Sequence, residues 1–142
     1  MSTLPRHILP LGIALLLTIA VSSCRTRPDR IAPDAAFTPY VPAFTAGHIS
    51  ARGSIFVRIA PDQRWRDSST TALQGLFHFD PSVKGTVSLN DDRTLVFKPD
   101  ERLEQETTYT VTVDLGDLIE LPTGLHEFTF QVHTIRQGVD LR

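Results

Sequence analysis

The stretch Tyr109-Thr110-Val111-Thr112-Val113-Asp114-Leu115 puts an apolar side chain at every second position. That period suits a β-strand with one face in a core; an amphipathic helix repeats its apolar stripe every 3.6 residues. The same alternation recurs along the chain. Ile55, Val57 and Ile59 alternate with Phe56, Arg58 and Ala60, and Phe77 and Phe79 flank His78. Val87 and Leu89, Leu95 and Phe97, and Phe128, Phe130 and Val132 repeat it. Pro61-Asp62, Asp80-Pro81, Asn90-Asp91-Asp92 and Pro99-Asp100 punctuate these runs with turn chemistry. Six strand candidates without a helical stripe predict an all-β antiparallel sandwich of about six to seven strands. Residues 62–75 are irregular enough to hold one helical turn.

Composition narrows the function classes. The chain has 142 residues with a formal net charge of −2, which is room for one ordinary domain and an appendage. Fourteen basic against sixteen acidic residues leave no electrostatic footprint for nucleic acid. Five scattered His and a single Cys do not build a four-ligand Cys/His zinc site, and no cofactor is expected.

The front end is a different material. Residues 8–21 read Ile-Leu-Pro-Leu-Gly-Ile-Ala-Leu-Leu-Leu-Thr-Ile-Ala-Val, after Arg6 and His7. An apolar run of about 14 residues is the length of a secretory signal and short of the roughly 20 a membrane-spanning helix needs. It ends in Val21-Ser22-Ser23-Cys24. This tetrad resembles the bacterial lipobox, which implies cleavage between Ser23 and Cys24 and diacylation of Cys24. Cys24 has no second Cys to pair with, so no intrachain disulfide explains it. Pro28, Pro33, Pro39 and Pro42 follow within 21 residues and read as a tether. Arg25 after the Cys, where Asp would signal retention in enteric bacteria, implies an outer-membrane lipoprotein facing the periplasm. The expected layout is a signal peptide at 1–23, lipidated Cys and tether at 24–46, the sandwich at 47–135, and a tail or further domain from 136 to 142.

Tyr109 stands at the start of a late strand, six residues after Leu103. In many immunoglobulin-like sandwiches a Tyr so placed bonds upstream backbone, so Tyr109 is read as a structural corner rather than a catalytic acid. With Phe77-His78-Phe79-Asp80-Pro81-Ser82-Val83-Lys84-Gly85-Thr86-Val87, Asp91-Asp92-Arg93-Thr94-Leu95-Val96-Phe97-Lys98-Pro99, the strand at 107–113 and Phe128-Thr129-Phe130, the chain resembles bacterial Ig-like domains of the SbsA type. The order of lipobox, Pro-rich stretch, Phe44-Thr45-Ala46-Gly47-His48-Ile49-Ser50 and this unit is similar to the N-terminus of α2-macroglobulin-like lipoproteins of Bacteroidetes. The resemblance implies an anchor-proximal module of a large protease trap, with proteases or other envelope proteins as partners. A stand-alone spacer or binding module is the alternative, and the end of the chain just past the last strand suits the front of something longer. The bait region and Cys-Gln thioester of that family have no counterpart in these residues.

No catalytic residues are expected. The chain has no Gly-x-Ser-x-Gly elbow, and His78 and His133 fall on the polar parity of their strands. Asp91-Asp92, and Asp114 with Asp117, are read as turn residues before calcium ligands. Glu101, Glu104 and Glu106 read as a solvated rim. Trp65, between Arg64 and Arg66, is either an exposed contact or a cap on the sandwich.

Overall fold

The computed structural model describes residues 30–136. Eight strands follow one another: β1 (Ala43–Phe44), β2 (Gly47–Ile49), β3 (Ile55–Arg58), β4 (Phe77–Asp80), β5 (Gly85–Asn90), β6 (Thr94–Pro99), β7 (Thr108–Asp114) and β8 (Glu127–Thr134). Two single helical turns interrupt them, α1 (Thr70–Leu73) and α2 (Leu115–Leu118). The strands form two four-stranded sheets, ordered β1-β3-β6-β5 and β2-β8-β7-β4. With β1 and β2 taken as one split first strand, this is the A-B-E-D and C-F-G order of an immunoglobulin constant-type sandwich. No described helix is long and apolar enough to cross a membrane.

The split is built into the chain at Thr45. Its N–H donates to the Phe56 carbonyl at 2.9 Å, and its hydroxyl accepts from the Phe56 N–H at 2.8 Å. β1 therefore stays antiparallel to β3, while two residues later β2 runs parallel to β8 in the other sheet. Gly47 makes the change of sheet with φ of +74°, a conformation that disfavours a side chain.

Alternation dictates the core. Fourteen of the sixteen side chains on the apolar parity are buried; Phe79 and Leu89 are half-buried against the same cluster. Aliphatic Ile55, Val57, Leu95, Val111 and Val113 fill its centre with no measurable exposure. Aromatic clusters bridge the sheets on either side. Phe44 of β1 meets Phe128 and Phe130 of β8 at 5.1 Å between ring centroids, and Phe37 meets Phe128 at 5.3 Å. On the other side Phe97 of β6 lies 5.7 Å from Phe77 and 4.4 Å from Phe79. Val111, two residues after Tyr109, sits where antibody domains carry the second Cys of their inter-sheet disulfide, so aliphatic packing replaces that bond.

Two sequence expectations are corrected. The packed body starts before residue 47. Phe37 and Val41, inside the Pro-rich stretch read as tether, are 3% and 5% exposed, and a 3-10 turn at Ala35–Phe37 capped by Asp34 delivers the Phe37 ring to the core. Pro content marked the absence of long elements there, but not the absence of packing. The alternation through Leu115 continues past the strand: β7 ends at Asp114, and Leu115 enters the core from the first position of α2. The segment 62–75 holds its one turn, α1, whose Ser69 N-cap accepts from the Ala72 N–H. The Ser69 backbone N–H, then its hydroxyl, hold the Asp67 carboxyl below the usual carboxylate range.

Candidate functional site

Antiparallel register between β7 and β8 sets Asp114, the last residue of one, opposite Glu127, the first of the other. Both lie on the outward parity of the sheet, in line with Thr112 and Thr129, whose hydroxyls bond each other at 3.1 Å. On the opposite flank of β7, β4 pairs His78 with Thr112 and so places its ring diagonally beside Asp114. His78 Nε2 and Asp114 Oδ2 are 2.8 Å apart. The connection between β7 and β8 folds back on the same end. The Gly116 N–H donates to the His126 carbonyl at 2.9 Å, and His126 Nε2 stands 3.3 Å from Asp117 Oδ1. One ligand atom each from Asp114, His126 and Glu127 lies within 4.8 Å of the others. Two imidazoles and three carboxylates thus meet at one end of one sheet, a donor set that can bind a divalent cation.

Of these residues the sequence reading singled out His78, Asp114 and Asp117, but His126 and Glu127 escaped it. Only the strand register brings them in, and the cue was the polar residue at each end of the hairpin.

The other sequence candidates fall elsewhere. The Tyr109 hydroxyl accepts from the Glu104 N–H at 3.0 Å, and Leu103 beside it is buried with its N–H on the Ala51 carbonyl. Tyr109→Phe leaves that N–H without its acceptor; the expected loss is about 1 kcal/mol in urea unfolding with an unchanged slope. Trp65 is half-buried and packs against the core, with a bridge to Ile119 and the Arg66 N–H on the Leu118 carbonyl at 2.7 Å. Its geometry is that of a cap over α2. His133 Nδ1 lies 3.0 Å from the Thr108 hydroxyl, and its ring meets His48 edge to face at 5.4 Å. Asp91 and Asp92 take φ of 49° and 59°, the two left-handed residues of a type I′ turn between β5 and β6. The Thr94 hydroxyl first, then Arg58 at 2.8 Å, hold the Asp91 carboxyl below its ordinary range. Glu101, Glu104 and Glu106 are exposed. Ser23 and Cys24 lie outside the described residues.

Strand order, the split first strand and the tyrosine corner define an immunoglobulin-like β-sandwich domain. The chain belongs to the bacterial Ig-like domain family, whose model matches residues 32–132. No curated protein matches it. Similar solved structures include L,D-transpeptidase 3 from Mycobacterium tuberculosis with a faropenem-derived adduct, at 12% identity and a TM-score of 0.48 over 70% of this chain and 39% of that one. An L,D-transpeptidase from Mycobacterium tuberculosis H37Rv is similar at 14% identity and a TM-score of 0.47, over 68% and 40%. The chain spans about two fifths of the length of these proteins.

Proposed function

We propose that this bacterial Ig-like domain is a non-enzymatic module held at the outer membrane, facing the periplasm, by a lipid on Cys24. In this reading it is the anchor-proximal part of an α2-macroglobulin-like protease inhibitor. The observation that carries the anchor is the order of features: the apolar run at 8–21, then Val21-Ser22-Ser23-Cys24, then an Ig-like unit matched from residue 32. Residues 25–31 separate Cys24 from that unit and reach about 25 Å when fully extended. A sandwich on so short a leash stays close to the headgroups, and its contribution is to fix position rather than to search. The inhibitor context is supported by the resemblance of the leader and of residues 44–50. Bait and thioester are not among these residues, so the role assigned here is anchoring and positioning of a trap.

Membrane fractionation and apparent mass test the two parts separately. Cys24→Ala is expected to release the protein from membranes or to leave its signal uncleaved; normal processing with unchanged membrane association would sink the lipid anchor. An antibody against residues 47–133 is expected to detect a membrane band far above the 15.8 kDa of this chain. A single small band would remove the inhibitor context and leave a stand-alone spacer or binding module.

A further inference from the structure

We propose that the His–carboxylate cluster at the β7–β8 end is a site for a divalent transition ion of the zinc class, with Asp114, His126 and Glu127 as its protein ligands.

The ligand types select the ion. A calcium site takes six to eight oxygens, whereas an imidazole nitrogen with two carboxylates suits zinc and its neighbours. Ligand atoms around a tetrahedral zinc stand about 3.3 Å apart, from bond lengths near 2.0–2.1 Å. The three here lie within 4.8 Å of one another, so modest side-chain rotation closes them on one ion. The side chains have room for it, since Glu127 is exposed and the His126 side chain is 56% exposed. The backbone beneath is fixed, because Asp114 and Glu127 are register partners at the closed end of a seven-pair ladder.

A second observation concerns the ring itself. A Cβ on Gly116 would stand 2.5 Å from His126 Cδ2, 2.9 Å from Cγ and 3.0 Å from Nε2. The imidazole lies flat against bare backbone, a seat that any side chain at 116 would fill. Gly116 does not have the positive φ that would otherwise call for glycine, so the close approach of the ring is its structural role. Around the three ligands stand two groups of the kind that orient metal ligands. Asp117 is 3.3 Å from His126 Nε2, and His78 is 2.8 Å from Asp114 Oδ2. Either one can instead swing in as a fourth ligand, with water as the alternative. Because the ligands come from β7, from β8 and from the residue just before it, and the orienting groups from β4 and α2, the ion would tie three strands and the α2 turn at one point.

The test is titration of the untagged full chain in detergent, stripped with chelator, with zinc sulfate in a calorimeter. One Zn²⁺ per chain and a rise in melting temperature are expected, with no competition from millimolar Ca²⁺. His126→Ala is expected to weaken binding about 100-fold, and Gly116→Ala about 10-fold by displacing the ring. Circular dichroism melting of the metal-free His126→Ala variant should match the parent, since the side chain is exposed. His133→Ala, at the other imidazole pair, should bind as the parent does. Absence of Zn²⁺ binding, equal binding of Ca²⁺, retention of binding in His126→Ala, or its loss in His133→Ala would each overturn the assignment.

Discussion

Phe128→Ala is expected to lower folding stability by about 3–5 kcal/mol, the range for truncating a buried Phe in a core that cannot collapse around the void. Phe128 is 2% exposed and touches three rings, with centroids 5.3 Å away for Phe37, 5.1 Å for Phe44 and 5.4 Å for Phe130. Those partners come from the 3-10 turn, from β1 and from β8 itself, so the hole would open where both sheets and the N-terminal segment converge. Domains of this size unfold with about 5–15 kcal/mol in all, which makes the loss a large share of the total. In urea unfolding the midpoint should fall without a change in slope, and in a thermal melt Tm should drop by more than about 12 °C. A loss under about 1 kcal/mol would contradict the packing of residues 35–44 onto β8.

Gly85→Ala is expected to destabilise by about 3 kcal/mol although it adds a single methyl group. The new Cβ would stand 2.4 Å from Phe97 Cζ and 2.5 Å from the Lys98 carbonyl oxygen. A flexible side-chain tip could step aside, but a backbone carbonyl in a sheet cannot, and the Phe97 ring is already held against Phe77 and Phe79. Relief must come from separating β5 from β6 or from displacing the aromatic stack. The usual gain of about 0.4–1 kcal/mol from reduced unfolded-state freedom does not offset this. Gly75→Ala is the control, since nothing lies within 4 Å of its added Cβ and that gain should appear undiminished. Equal denaturation midpoints for the two variants would refute the close approach at Gly85.

How much of this was legible beforehand follows from what each feature depends on. Strands whose two faces see different solvents write their period into the chain, so β3 to β8 were readable from parity alone. β1 and β2 are two and three residues long, too short to show a period, and β1 directly follows Pro42 in a stretch whose prolines argue for open chain. Their pairing rests on Thr45 and Gly47, whose meaning appears only once both sheets exist. Leu115 kept the right parity for the wrong element: the core asks for an apolar group there and accepts it from a helical turn as readily as from a strand. The tyrosine corner was visible because it is local, Tyr109 reaching Glu104 five residues back. The β7–β8 cluster was not, because Asp114 and Glu127 are thirteen residues apart and meet only through register.

The parallel pairing of β2 with β8 has a mechanical meaning. β2 is the last piece of the chain's entry and β8 is its exit, and their partners run Gly47 with Val132, His48 with His133 and Ile49 with Thr134. Tension that drags the entry backward and the exit forward slides these two strands past each other along their length. The ladder's bonds then bear the load together and must break at once, whereas an antiparallel pair gripped at one end opens bond by bond. The Ile135 N–H on the Ile49 carbonyl at 3.0 Å extends the same lap joint by one more rung. A domain held at one end and pulled from the other meets that force at a seam loaded in shear.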